Sequence, residues 1–330
     1  MTQADRLAEF WRRYPDTIEL PPQRWPDVMF PKMFGEISAP AALAGLLPLV
    51  REWRPAVVVH DAAELAAPLA AAAVGVPHVT HAFGALLPEA RVRAASEELE
   101  PLWRAQGLDP RPYGGAYDHL YLDIYPPRLQ IPGGEHVGAR QALLAVPFDD
   151  PADRVLPPHV LDGSEHPLVY LTFGTVFNDN EAFRAALAGI RALPVRLVVT
   201  VGPNGDPTAF GPQPSHVVLE RYIPQTLILP ACAVVASHGG SGTVLAALGM
   251  AISQLCLPQA ADQFINAGAV ARSGAGLAIP PGQVDPGAVG DAVQRLLDDP
   301  AFQLAARLVA DEIASMPSPD DVARVLEKLP

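Results

Sequence analysis

Cysteine is almost absent: Cys232 and Cys256 are the only two in 330 residues, and neither has a C-x-x-C neighbour. That excludes a disulfide framework and leaves no ligand set for a zinc ribbon. Both cysteines sit in apolar runs and read as buried free thiols of a reducing, cytoplasmic compartment. Positive charge is also scarce. Lysine occurs only at Lys32 and Lys328, and 23 Lys and Arg face 36 Asp and Glu, a formal net charge of −13. Binding a phosphate backbone needs the opposite balance, so nucleic acid and anionic membrane surfaces are excluded as partners. Long hydrophobic runs are missing as well. The most apolar stretch, Ala66–Val76, carries Pro68 and Gly75 and stops short of the roughly 20 residues a membrane span needs. The opening MTQADRLAEFWRRYPD lacks the basic flank and apolar stretch of a signal peptide. No GxxxxGK[ST], HExxH or DxDxDG occurs, nor a GxGxxG followed at the right spacing by an acidic residue, which excludes the common nucleotide-triphosphate, zinc, calcium and NAD sites.

What is present is a core. Apolar residues make up 49% of the chain and charged residues 18%, and the length suits two domains. From Leu168 onward strands and helices alternate at short spacing: strands at 168–173, 196–201, 217–223, 234–237, 254–257 and 277–279, with helices between and three more closing the chain. Continuous apolar, β-branched strands separated by helices predict a doubly wound parallel α/β sheet. The first half is less regular. It predicts helices at 39–53, 62–74 and 88–106, strands at 56–60, 79–83 and 119–124, and a linker within the Pro- and Gly-rich stretch 126–167. The expected division is residues 1–150 and 151–330.

Four motifs fall at the C-terminal ends of successive predicted strands, where open parallel sheets bind ligands. The sharpest is Ser237-His238-Gly239-Gly240-Ser241-Gly242-Thr243, a Gly-rich turn from a buried strand into a helix. Backbone amides and a helix N-terminus make such a turn an anion site, and His238 adds a donor. The plain alternative is an ordinary glycine turn. Asp262-Gln263 opens the next helix as a hydroxyl-binding pair, or Asp262 simply caps that helix. Gly174-Thr175 and Tyr222-Ile-Pro-Gln225 supply a hydroxyl, an aromatic ring and an amide at two further strand ends.

On LTFGT, ERYIPQ, SHGGSGTVLAAL, LPQAADQFINA and the ending ASMPSP, the second half resembles the donor domain of family 1 glycosyltransferases with the GT-B fold, of the actinobacterial natural-product type. The first half resembles the same family more loosely through REWRPAVVVHDAAELAAPLAAAAVGVPHVTHAFG and YLDIYPPRLQ. The resemblance implies two Rossmann-like domains, the first for the acceptor and the second for the donor. It implies transfer of a sugar from a nucleoside-diphosphate sugar to a hydroxyl of a small molecule, with inversion and without a metal or other cofactor. It implies that His238 and the backbone of Gly240, Ser241, Gly242 and Thr243 hold the diphosphate, with Gly174 and the Thr175 hydroxyl beside it. Tyr222 and Gln225 would flank the base, and Asp262 and Gln263 would bind the sugar. Uridine and thymidine donors both stay open, as does a dimer.

The chain departs from that family in three places. Ala246 stands where many members carry a ribose-binding Glu, and Gly249-Met-Ala-Ile-Ser253 replaces the usual turn. The family's opening strand and Gly-His loop, whose His is the general base, have no counterpart before Trp25. Asp61 matches the carboxylate that orients that base, or else caps the helix expected from Ala62; His60, His78 and His81 read as structural. A late start codon, a truncated gene and a segment supplied by another polypeptide are the three explanations. The chain is accordingly expected to fold its second half well, leave strands 56–60 and 79–83 edge-exposed or poorly ordered, bind a nucleotide sugar weakly and transfer nothing alone. A non-catalytic nucleotide-sugar-binding protein, one subunit of a split transferase, and a nucleotide-sugar epimerase are the rival functions.

Overall fold

The computed structural model describes residues 2–148, 156–161, 165–174 and 181–329. They form two compact units. The first comprises Met1–Tyr125, Gln130–Leu144 and Met316–Pro330, the second Pro126–Leu129 and Ala145–Ser315. The last segment of chain thus belongs with the first unit, a placement that hydrophobic pattern along the chain does not encode.

The first unit opens with helices α1 (Gln3–Arg13) and α2 (Trp25–Met29), a wider π-helical run Phe30–Ser38, and α3 (Ala39–Trp53). Strand β1 (Val58–Asp61), helix α4 (Ala67–Ala72), strand β2 (His78–His81), helix α5 (Glu89–Ala105) and strands β3 (Leu120–Asp123) and β4 (Arg140–Ala142) follow. All four strands are parallel, in the order β1-β2-β3-β4. Helix α4 is shorter than its alanines suggest because Pro68 sits in its first turn, where the missing N–H costs nothing, and starts it late. Strand β4 lies inside the stretch read as linker; a three-residue polar edge strand carries no apolar period to betray it. Strand β2 is not an edge, contrary to expectation: β1 and β3 pair it on both sides. β1 and β4 end the sheet, and on β1 Val59 is 48% exposed.

Among the described residues, the helical stretch Pro22–Trp53 is long and apolar enough in composition to cross a membrane, although prolines and charged residues interrupt its apolar run. In this structure one side of it builds the core of the unit: Phe30, Leu43, Leu47 and Val50 pack with Val92, Leu99 and Trp103 of α5. Lys32 on the same stretch pairs with Glu98 at 2.6 Å.

The second unit holds β5 (Leu168–Thr172), α6 (Glu181–Ile190), β6 (Arg196–Thr200), β7 (Val217–Glu220), α7 (Gln225–Ile228), β8 (Cys232–Ser237), α8 (Ser241–Gly249), β9 (Ser253–Cys256), α9 (Gln263–Ser273), β10 (Gly276–Ala278), α10 (Pro286–Asp298) and α11 (Pro300–Ala314). Helix α12 (Pro319–Leu326) completes the first unit. The six strands are all parallel, ordered β10-β9-β8-β5-β6-β7. Chain direction across the sheet therefore reverses between β5 and β8, and a crevice opens beyond their C-terminal ends. Side chains alternate between two cores. Val169, Leu171 and Val199 meet Phe183, Ile190, Val289 and Val293 on one face. Tyr170, Val198 and Val235 meet Ile228, Ala246 and Ala247 on the other. Cys232 and Cys256 are free thiols, both pushed up to about 12 by burial.

Candidate functional site

The crevice brings together ends of chain that are far apart in sequence. Beyond β5 stands Gly174; beyond β8 stands His238. Gly174 has φ +71°, and a Cβ there would lie 2.9 Å from the His238 ring. A Cβ on Gly240 would lie 2.7 Å from His238 Nε2. The two glycines are thus required by the imidazole packed between them, a reason stronger than turn flexibility. Phe173 backs the ring at 6.3 Å between centroids. Burial pushes the His238 pKa below its ordinary value, against the pull of Asp262, so the ring is neutral at neutral pH and offers an N–H rather than a charge.

Helix α8 begins at this point. Its N-cap is Gly240, which has no side chain to bond the first-turn amides. Gly242 is exposed, Ser241 and Thr243 buried. Gln225 reaches in from α7 and donates to Thr243 Oγ1 at 3.0 Å. Thr175 lies outside the described residues.

Beside the loop is a pocket of about 240 Å³, lined among others by Phe148, Thr172, Tyr222, Gln225 and Ala246. Tyr222 is 46% exposed, with its ring on the pocket wall. The floor is a chain of buried hydroxyls that motif reading missed. Tyr170 Oη and Thr200 Oγ1 are 2.8 Å apart, Thr200 Oγ1 bonds Thr172 Oγ1 at 2.8 Å, and Thr172 Oγ1 accepts from Gly174 N at 3.3 Å. The signal was present as three polar residues inside otherwise apolar buried strands.

Asp262 stands at the N-cap of α9, yet its carboxylate bonds no amide of that helix. Instead Oδ2 accepts from Ser241 Oγ at 2.8 Å and from Asn266 Nδ2 at 2.8 Å. The simple capping role is therefore not the one this side chain plays. Ala261 before it has φ +55°, a left-handed turn that aims the helix start. Gln263 is buried, and its Oε1 accepts from Gln259 N and Ala260 N at 2.7 and 3.0 Å, which leaves its amide nitrogen for other work. Asn266, fully buried, was passed over as a helix residue.

In the first unit, Asp61 ends β1, exposed, and its Oδ1 accepts from Ala63 N at 2.7 Å; it closes a turn and caps no helix, because α4 starts only at Ala67. In register it stands beside His81 of β2, with no hydrogen bond or ion pair between the two side chains. His60 and His78 are buried side by side, 3.2 Å between Nε2 and Nδ1. Among the described residues no group of three or more His, Cys, Asp and Glu is arranged to hold a metal ion.

Two family models match the chain: erythromycin biosynthesis protein CIII-like, N-terminal domain, over residues 29–174, and the C-terminal domain of the same family over residues 184–329. The elloramycin glycosyltransferase ElmGT of Streptomyces olivaceus is 34% identical over 301 residues, 88% of this chain and 71% of its own. The L-demethylnoviosyl transferase of Streptomyces niveus is 32% identical over 291 residues, 86% of this chain and 74% of its own. The solved structure of spinosyn rhamnosyltransferase SpnG superposes with a TM-score of 0.80 at 28% identity, covering 93% of this chain and 83% of that one. The same protein has been solved with thymidine diphosphate, at a TM-score of 0.78 to this chain and 28% identity, covering 92% and 81%. Two parallel Rossmann-like sheets with a Gly-rich loop at the switch point of the second define a GT-B glycosyltransferase. This chain belongs to the erythromycin biosynthesis protein CIII-like family, glycosyltransferases of natural-product pathways that take their sugar from a nucleotide sugar.

Proposed function

We propose that the second unit binds a thymidine-diphosphate deoxysugar, and that the sugar passes with inversion to a hydroxyl of a polycyclic or macrolide acceptor. The observation that carries this reading is the uncapped start of α8 packed against His238 at the switch point. The first-turn amides and His238 N–H receive the diphosphate, and their fixed dipoles take up the charge that grows as it leaves. That is the work a cation does elsewhere, so the reaction is read as metal-independent. Tyr222 and Gln225 flank the base in the pocket beside the loop. Asp262 and the Gln263 amide nitrogen meet the sugar hydroxyls. Thr175 adds its hydroxyl at the diphosphate. The acceptor oxygen attacks the anomeric carbon in line, the bond from that carbon to the diphosphate oxygen breaks, and the hydroxyl proton goes to a general base, which no residue described above supplies and which Asp61 would orient.

Calorimetric titration with thymidine diphosphate and thymidine-diphosphate glucose is the first test; no binding of either overturns the reading. The second is turnover on a panel of phenolic and macrolide acceptors, with the anomeric configuration of the product read by NMR. Retained configuration would refute inversion. A second reading, a donor-binding chain that needs another polypeptide for transfer, is favoured by Asp61, which is engaged with Ala63 N and bonds no histidine. Binding without turnover would select it.

A further inference from the structure

We infer that Asn266 is a positioning residue that ties the diphosphate half of the donor site to the sugar half. This rests on the proposed role of Asp262 at the sugar. Asn266 is fully buried in the first turn of α9, and its single NH2 group serves three acceptors. It donates to Gly239 O at 2.9 Å, in the turn that carries the diphosphate loop. It donates to Ser241 Oγ at 3.0 Å, on the first residue of α8. It donates to Asp262 Oδ2 at 2.8 Å, one turn before it on α9. The Ser241 hydroxyl donates a hydrogen bond to that same Oδ2, at 2.8 Å. Two donors on one oxygen fix the carboxylate torsion. Oδ1 then has no partner among the described residues and is the oxygen that faces a sugar hydroxyl.

The arrangement demands an amide. Gly239 O and Asp262 Oδ2 can only accept, so an acidic side chain of the same shape would set oxygen against oxygen at both. A buried residue of purely structural value would tolerate that change only through stability. A positioning residue would also alter which ligand the site prefers.

The test compares affinity for thymidine diphosphate with affinity for thymidine-diphosphate glucose by calorimetry, the ratio being the sugar preference. Asn266→Asp is expected to lower the preference about tenfold and to weaken thymidine diphosphate severalfold through Gly239. In an Asp262→Ala background it should lower the preference no further, because the residue through which it acts is gone. Should Asn266→Asp not fold, Ser241→Ala carries the test: loss of one of two donors on Oδ2 should lower the preference about threefold, and an unchanged preference overturns the inference. A preference retained in folded Asn266→Asp with only a lower melting temperature also overturns it. An unchanged preference in Asp262→Ala alone would instead refute the sugar role of Asp262, a separate failure.

Discussion

His238 is the residue on which the diphosphate reading is most exposed to test. Its N–H to a charged phosphate oxygen contributes about 1.5–3 kcal/mol, so His238→Ala should weaken thymidine diphosphate about 10- to 150-fold in a calorimetric titration. Unchanged affinity would remove the ring from the site. Gly174→Ala should act in the same direction without touching a ligand, since its Cβ would fall 2.9 Å from the ring, at a residue with φ +71°. If that variant binds as tightly as the wild type, the His238 ring is not held where its function needs it. Asp262→Ala should weaken a thymidine-diphosphate sugar by about tenfold and leave the free diphosphate alone, because its carboxylate is assigned to hydroxyls. Equal loss for both ligands would mark it as a loop brace.

At the scale of elements, β1 and β2 carry an acid-sensitive pair. Burial pushes His78 down to about 3 and lowers His60 as well. Unfolded histidines take up protons near pH 6.5, so below that pH the unfolded chain binds more protons than the folded one. The stability that neutral His78 contributes is present above pH 6.5 and is lost as pH falls toward about 3, at about 1.4 kcal/mol per pH unit, and His60 acts in the same direction. Asp123, buried with a raised pKa, works in the opposite sense at more acid pH. All four tryptophans, Trp11, Trp25, Trp53 and Trp103, lie in the first unit, so their emission follows that unit alone. Thermal melts followed by tryptophan emission should lose midpoint steadily from pH 7 to pH 5.5. A flat midpoint over that range would mean the pair is wetter than its burial indicates.

For the whole molecule, the second unit carries its own two-faced core, so residues 126–315 made alone should melt cooperatively and bind thymidine diphosphate. A fragment without a cooperative transition would show that the core needs the rest of the chain. The first unit has an open sheet side at β1, where Val59 is 48% exposed beside unpaired strand edge. Apolar open edges recruit other strands. Val59→Lys should lower concentration-dependent association in light scattering, while an unchanged profile would place any association elsewhere.

The amino-acid sequence by itself determined the second sheet almost to the residue. Strands buried on both faces must be written as unbroken apolar runs, and Leu168–Thr172, Arg196–Thr200 and Cys232–Ser237 are such runs closed by turn residues. It also determined the glycine turn into α8, because such a turn is a local device. What only the tertiary structure decided is the order of the strands. Placing β5 against β8 brings Gly174 to His238, 64 positions later along the chain by their numbers, and no local pattern encodes that pairing. The same holds for Asn266, which reads as one polar residue in an apolar helix until α9 packs beside α8 and its amide meets Gly239, 27 residues away. Strand β4 and the interior place of β2 were hidden for a related reason: a short polar strand exists only because a neighbour offers it an edge. Local chemistry writes elements and turns; long-range packing decides which turns face one another, and a site assembled from several strand ends is settled by that packing.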